Sequence, residues 1–222
     1  MDQKNLEFFK AGASGDFAKV CAELSKGADV NVSNNDGRTT LMRSAKRGYV
    51  EIVRIILDNG ANVRARDKNN KTALMGASKK GHFEIVKLLV EAGSDVNSHD
   101  NNGRTSLMRA SFLGHKDVCE YLVNNGADVN ARDNKGRTAL MEAILAFKVN
   151  VIDFLLENGA SINAIDNNGC TALMRASYGG YTDLVLYLLN KGADKDIVDY
   201  EGNKAIHYVR EHCFLELKDH LK

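Results

Sequence analysis

Glycine recurs along this chain at a fixed interval of 33 residues. The glycines in this register are Gly27, Gly60, Gly93, Gly126, Gly159 and Gly192. A series of threonines keeps the same step, at Thr39, Thr72, Thr105, Thr138 and Thr171. A period of this length is typical of stacked supersecondary units, each of which contacts its neighbours along the chain. The spacing therefore predicts a repeat array instead of one globular core.

Within one period the order of motifs predicts two helices. A turn rich in Asp, Asn and Gly precedes the threonine, whose hydroxyl can cap a helix by accepting a hydrogen bond from a first-turn N–H group. In the third unit Gly81 then interrupts the first helix, an apolar run at 85–90 predicts a second helix, and Gly93 can end it in a left-handed conformation. Each unit is therefore predicted to be a helix, a turn, a second helix and a hairpin loop.

Two phrases carry a resemblance to a known family. A unit opens with a phrase such as Asp-Asn-Asn-Gly-Arg-Thr-Ser-Leu-Met at 100–108 and closes with a phrase such as Gly-Ala-Asp-Val-Asn at 126–130. This order resembles the ankyrin repeat, over nearly the whole chain. It divides the chain into a degenerate first unit at 1–33, full units at 34–66, 67–99, 100–132, 133–165 and 166–198, and a truncated unit at 199–222.

The resemblance implies an all-α repeat solenoid of stacked helix-turn-helix units. No linker or low-complexity tract separates the units, so a single domain over 1–222 is expected. The first and last units keep apolar positions but carry charged residues elsewhere, which is typical of capping units. On that basis the array is expected to be complete.

The sequence departs from the family pattern in two ways. It contains no proline, and the usual Thr-Pro-Leu-His phrase becomes Thr-Ala-Leu-Met or a variant. The loss of proline at the first helical position is expected to weaken local rigidity only slightly. The residues that replace histidine are Met42, Met75, Met108, Met141 and Met174. A methionine at every repeat indicates core packing and not a ligand site.

Composition and motifs exclude several classes of protein. The formal net charge of +1 gives no overall attraction to nucleic acid or membrane, and no apolar run is long enough to span a bilayer. The four cysteines lie in different units without metal-ligand spacing, which favours a reducing, cytoplasmic location. No phosphate loop, nucleophile elbow or zinc-binding motif occurs. No cofactor, metal or enzymatic activity is therefore expected, and the histidines at 207, 212 and 220 lack the spacing of a metal site.

The resemblance implies binding on a concave face formed by the hairpin tips and the exposed side of each first helix. Basic candidates on that face are Arg43, Lys46, Arg47, Arg66, Lys79, Lys80, Arg109, Arg132 and Arg175. Only Asp36, Glu142 and Glu201 oppose them, since other carboxylates fall on the second helices. The face is therefore expected to be strongly basic. The basic residues just before the capping threonines (Arg38, Lys71, Arg104 and Arg137) are ordinary for the family and are set aside.

The same helix-one positions become apolar in later units. The apolar candidates are Phe112, Leu113, Leu145, Phe147 and Tyr178. Large apolar side chains clustered at exposed positions are typical of an interface, although individual residues could also pack beneath the neighbouring unit. Phe147 replaces the helix-breaking glycine, and Phe does not readily adopt a left-handed backbone. Helix one of that unit is therefore expected to continue or to turn by another route, with Phe147 directed outward.

The sequence thus predicts a monomeric, non-enzymatic protein-interaction module or scaffold. Its partner is expected to be another protein with acidic residues around a hydrophobic anchor, and neither a membrane nor a nucleic acid. The alternative is recognition of a phosphorylated or nucleotide-like ligand in the basic groove. Base stacking would need an aromatic ring beside each basic cluster, and only Tyr49 and Phe83 are close to them in the sequence.

Overall fold

The computed structural model describes residues 2–222, and in that range regular structure is helical. The first helices of successive units are α1 (Gln3–Ser14), α3 (Thr40–Arg47), α5 (Ala73–Lys80), α7 (Ser106–Leu113), α9 (Ala139–Leu145) and α11 (Ala172–Gly179). The second helices are α2 (Phe17–Ser25), α4 (Val50–Asp58), α6 (Phe83–Glu91), α8 (Lys116–Asn124), α10 (Val149–Glu157) and α12 (Thr182–Asn190). A 3₁₀ helix at Ala205–Tyr208 and α13 (Glu211–Leu221) follow. The predicted alternation of two helices in each repeat is confirmed.

The recurring threonines cap the first helices as predicted. The Thr72 hydroxyl accepts a hydrogen bond from the Met75 amide at 3.3 Å, and the same bond recurs in the other full repeats. Each bond satisfies one of the amides that have no partner inside the helix. Glycine ends both helices of a repeat with a left-handed backbone, for example Gly81 at φ 70° and Gly93 at φ 90°. The sequence therefore determines where each helix begins and ends.

The chain forms two compact units. The first comprises residues up to Ala110 together with Asp117–Ala127. In it α1 packs against α3, and α3 packs against α5. Its fully buried side chains include Phe8, Leu41, Ile56, Leu74, Ile85, Leu89 and Leu122. Small residues such as Ala45 and Ala77, both completely buried, let α3 and α5 approach closely.

The second compact unit comprises Ser111–Lys116 and Asp128–Lys222. In it α9 packs against α11, α11 packs against the 3₁₀ helix, and α12 contacts α13. Its core includes Leu140, Ile144, Ile152, Leu155, Leu173, Leu188 and Leu217. The repeated methionines are buried throughout the chain, between 0% exposed for Met141 and 8% for Met42, which confirms their predicted role in the core.

Asparagine side chains join neighbouring hairpin loops within each unit. In the second unit Asn130 accepts a hydrogen bond from the Ser161 amide at 2.8 Å and donates one to the Gly159 carbonyl at 2.9 Å. In the first unit Asn97 donates to the Gly126 carbonyl at 2.9 Å. These bonds satisfy backbone groups that the hairpins leave without a partner, so they fix the spacing of adjacent loops.

Candidate functional site

A buried aspartate opens the turn of most repeats. Asp100, which is 2% exposed, accepts hydrogen bonds from the amides of Asn102 at 2.9 Å and Arg104 at 3.0 Å. Its second oxygen accepts from the guanidinium of Arg109, nine residues later. The same nine-residue pairing joins Asp166 to Arg175, and Asp199 to the hydroxyl of Tyr208. A hydrogen bond from a first-helix side chain to the turn aspartate therefore links the two elements. Where the donor is an arginine, this turn pair also neutralises the charge of the aspartate.

This pairing corrects the prediction of a strongly basic face in every repeat. Arg109 and Arg175 lie where the sequence predicted, but each is bound to a buried carboxylate of its own repeat. Glu142, expected to be exposed, is 1% exposed and lies 3.0 Å from Arg137. The reason is electrostatic, since a buried carboxylate needs a cation or several N–H donors to offset its lost hydration.

Arg137 lies between two carboxylates in the 133–165 repeat. Its guanidinium is 2.7 Å from Asp133 and 3.0 Å from Glu142. Burial alone would raise the pKa of Asp133, but hydrogen bonds from the Arg137 side chain and from backbone amides lower it below its ordinary value. This cation therefore serves the structure of its repeat, as the family pattern implied.

Two adjacent repeats of the first unit each lack one member of the turn pair, either the aspartate or the arginine. In repeat 34–66 the turn position is Asn34, so Arg43 has no turn carboxylate and instead lies over the Phe9 ring, 5.4 Å from its centroid. In repeat 67–99 the turn keeps Asp67, but the position nine residues later is Gly76. Asp67 is instead approached by Nε of Arg38, at 3.5 Å. Repeat 34–66 therefore has an arginine without a turn carboxylate. Repeat 67–99 has a turn carboxylate but no side chain at the position of that arginine.

The missing side chain opens a cleft between α3 and α5 with a volume of about 240 Å³. A Cβ atom at residue 76 would lie 3.3 Å from the Cβ of Lys46, which is closer than an ordinary van der Waals contact, so Lys46 would have to shift to admit even a small side chain. The residues that line this Gly76 cleft are Arg38, Met42, Arg43, Lys46, Arg47, Asp67, Lys71, Thr72, Met75, Gly76, Lys79 and Arg109. They comprise seven cations and one carboxylate.

The charge of the Gly76 cleft is poorly compensated. Lys46, Arg47 and Lys71 form no ion pair within residues 2–222. Burial lowers the pKa of Lys79, and the neighbouring charges of Arg109 and Lys46 lower it further. The single carboxylate, Asp67, already accepts two backbone amides of its own turn, at 2.8 and 2.9 Å. The cleft therefore carries an excess of positive charge that an anion would relieve.

The cleft brings together five of the residues predicted as partner-binding: Arg43, Lys46, Arg47, Lys79 and Arg109. Lys80 is exposed outside its lining, and Arg132 and Arg175 belong to the second unit. Arg66 is held by Ser98 at 3.0 Å and by the His99 carbonyl at 3.3 Å. The sequence argument had set aside Arg38 and Lys71 and had not considered Gly76. Comparison of the ninth position after each turn acid would have found Gly76, since that position is otherwise Arg, Glu or Tyr.

The predicted apolar residues all belong to the second unit, where they lie at or close to the C-terminal ends of α7, α9 and α11. Their side chains are exposed to similar extents, namely 41% for Phe112, 37% for Leu113, 39% for Leu145, 45% for Phe147 and 65% for Tyr178. The ring of Phe147 lies 4.6 Å from that of Tyr181, measured between centroids. Arg210 lies over the Tyr178 ring at 5.8 Å and donates to the Tyr178 carbonyl at 2.8 Å. These residues form an exposed apolar cluster.

Phe147 adopts the backbone of the glycine that it replaces. Its φ is 52°, close to the 72° of Gly180, and α9 ends at Leu145. The prediction that the first helix of this repeat continues or turns by another route is therefore wrong, because Phe147 adopts the left-handed backbone that glycine has in the other repeats. The predicted outward direction of the ring agrees with its 45% exposure.

The family model for ankyrin repeats, described as "Ankyrin repeats (3 copies)", matches five overlapping segments at residues 8–100, 67–133, 92–166, 131–199 and 159–216. The chain belongs to the ankyrin repeat family. The predicted fold class, an all-α repeat solenoid, is thereby confirmed. Ankyrin repeats are generally modules for protein–protein interaction and are typically non-enzymatic. No curated protein matches the chain.

The described residues meet the requirements of neither a metal site nor a membrane span. Within the described range no group of three His, Cys, Asp or Glu side chains is arranged to hold a metal ion, which includes the histidines near the C-terminus. None of the described helices has the length and apolar character needed to span a membrane. Cys21, Cys119, Cys170 and Cys213 are free thiols. The Gly76 cleft and the apolar cluster are the features that remain to be explained.

Proposed function

We propose that this ankyrin repeat protein binds another protein through the Gly76 cleft and the apolar cluster. The observation that carries the proposal is the excess of cations in the cleft. Two other repeats pair the arginine of the first helix with a turn aspartate, whereas the cleft gathers seven cations around one carboxylate. Such clustering costs free energy through mutual repulsion, and a partner with acidic residues would offset that cost.

The apolar cluster supports the second part of the proposal, which is that the partner carries a hydrophobic anchor. Phe147 holds a left-handed backbone that is unfavourable for a side chain with a Cβ, yet its ring is not buried in the core. A strained backbone at a residue whose side chain stays 45% exposed is characteristic of functional positions. Together with Phe112 and Tyr178, it offers aromatic surface of the kind that anchors protein interfaces.

The partner is identified by affinity capture from a lysate of the source organism and mass spectrometry. Its affinity for the purified protein is then measured by calorimetry at two salt concentrations. Replacement of Lys46, Arg47, Lys79 and Lys80 by Glu should abolish binding while the melting temperature changes little, because exposed charges contribute little to stability. Wild-type binding should weaken as salt rises.

A matched pair of substitutions tests the apolar half. Tyr178→Ser should weaken binding at least tenfold, whereas Leu215→Ser, at a residue 76% exposed on α13 outside the cluster, should leave it unchanged. Wild-type affinity in both the quadruple variant and Tyr178→Ser would refute the proposal.

We also propose that the protein is cytoplasmic, that it is monomeric and that it forms a single domain. The free thiols support a reducing compartment. Light scattering during size-exclusion chromatography tests the monomer, and a single unfolding transition by all spectroscopic probes tests the single domain.

A further inference from the structure

The Gly76 cleft differs from an ordinary basic surface because it has a defined shape. Three sister repeats carry a long arginine side chain at the corresponding position, namely Arg43, Arg109 and Arg175. Gly76 has none, and the space that it leaves is bounded by side chains of α3 and α5. The cleft is therefore a recess as well as a concentration of charge.

The positive charge that lines the recess is larger than the single negative charge of a carboxylate could neutralise. Seven basic side chains and one carboxylate line the recess. Arg38 pairs with Asp36 and Asp67. Arg109 pairs with Asp100, which is outside the lining. The lining cations that form no ion pair within residues 2–222 are Arg43, Lys46, Arg47 and Lys71. A phosphorylated side chain carries a charge of about −1.5 to −2 at pH 7, with three strongly accepting oxygens. An aspartate or glutamate of a partner carries a single charge and two oxygens.

The donors in the recess also suit a phosphoryl group. Arg43 contributes a planar guanidinium group that can bind two oxygens at once, and Lys46 and Lys79 contribute compact ammonium groups. Nε of Arg109 is buried and has no acceptor in the described structure. Together these groups offer several donors on α3, α5 and α7.

No aromatic ring lines the recess, which excludes base stacking there. Phe83 packs edge-on against Tyr121 at 5.8 Å, and Tyr49 lies against Gly15, so neither ring named from the sequence reaches the cleft. A nucleotide would lack the stacking surface that such sites use. The walls instead contain Met42 and Met75 beside the cations, which suits the short apolar stem of a phosphorylated side chain.

From these observations we infer that the Gly76 cleft binds a phosphorylated side chain of the partner protein. The inference rests on the proposed function and makes it specific. The apolar cluster would bind a separate part of the partner, while the recess would make binding depend on phosphorylation.

The decisive variant is Gly76→Arg, which places in the recess the residue of three sister repeats. It adds positive charge and removes the space, so charge and shape predict opposite results. The probe is N-acetyl-phosphoserine amide, titrated into ¹⁵N-labelled protein and followed by NMR, with N-acetyl-aspartate amide and inorganic phosphate in parallel. The wild type should bind the phosphoserine probe at least tenfold more tightly than the aspartate probe, with shifts centred on the Gly76 amide.

Gly76→Arg should weaken phosphoserine binding at least tenfold. Equal or tighter binding would show that the cations attract anions without a site and would overturn the inference. Phosphate binding as tight as phosphoserine binding would also overturn it, since the recess would then hold the free ion and not a side chain. Circular dichroism confirms folding of each variant.

A second pair keeps the test informative should Gly76→Arg fail to fold. Lys46→Glu and Arg54→Glu make the same change in charge, but Lys46 lines the recess and Arg54 is exposed on α4 outside it. Lys46→Glu should weaken phosphoserine binding at least tenfold, and Arg54→Glu by less than twofold. Similar losses in both would refute a localised site.

Treatment of the captured partner with phosphatase separates this inference from the proposed function. Loss of binding after treatment supports both. Unchanged binding to treated partner and to Gly76→Arg would overturn the phosphoryl site but leave the protein-binding function standing. Phosphoserine binding without any protein partner would refute the proposed function and the assignment of the phosphoryl group to a partner.

Discussion

The left-handed backbone at Phe147 predicts an inverted order of stability for two substitutions. In an exposed helical position glycine is less stable than alanine by about 1 kcal/mol. At φ 52°, however, alanine keeps the strain of a Cβ in the left-handed region, about 1–2 kcal/mol, and glycine does not. Since glycine loses about 0.4–1 kcal/mol through the greater entropy of its unfolded chain, Phe147→Gly should be more stable than Phe147→Ala by about 0.5–1 kcal/mol.

Both variants lose the ring of Phe147, so their difference isolates the backbone. The ring is 45% exposed, and a fully covered Phe buries about 150–250 Å². Covering somewhat over half of it contributes about 2–3 kcal/mol at about 25 cal/mol per Å². Phe147→Ala should therefore cost about that amount, and Phe147→Gly about 1–2 kcal/mol, once relief of strain is subtracted.

Equilibrium urea unfolding measures both differences. Leu145, the last residue of α9 and 39% exposed, is the matched control at an ordinary helical position. There Leu145→Gly should be less stable than Leu145→Ala. If alanine proved more stable than glycine at residue 147 as well, the left-handed backbone would not be strained, and its functional interpretation would fail.

Three further predictions concern the structure of the repeats. Asp133→Asn should cost about 1.5–3 kcal/mol near neutral pH, because it removes a charged hydrogen bond from Arg137. The folded pKa of Asp133 is lowered, so this contribution is present above its ordinary pKa of 3.8 and should disappear as the pH falls below that value, as urea unfolding across pH would show. Asn130→Ala should cost about 1–2 kcal/mol through two lost hydrogen bonds between hairpins and should speed amide exchange of the Ser161 N–H. Gly136→Ala should be clearly more destabilising than Gly159→Ala, because both have positive φ but only residue 136 would place a Cβ 2.7 Å from backbone of the next turn; equal melting temperatures would contradict this.

The sequence by itself determined the repeat length, the alternation of two helices in each repeat, the capping threonines and the buried methionines. These features depend on local spacing, since a cap, a helix-ending glycine and an apolar periodicity act within a few residues. The basic residues at Lys46, Arg47 and Lys79 were also visible, because they stand at corresponding positions of neighbouring repeats. The left-handed turn at Phe147 was not visible in the sequence, because Phe by itself disfavours a left-handed backbone.

Only the tertiary structure decided which basic side chains remain available to bind a partner. Charge counting could not show that Asp100 binds Arg109, that Glu142 is buried beside Arg137, or that Arg38 reaches across to Asp67. Those pairings engage part of the positive charge that the sequence shows, because a buried carboxylate left without a cation would be costly. Gly76 became meaningful for the same reason, because a missing side chain forms a recess only when neighbouring helices enclose it.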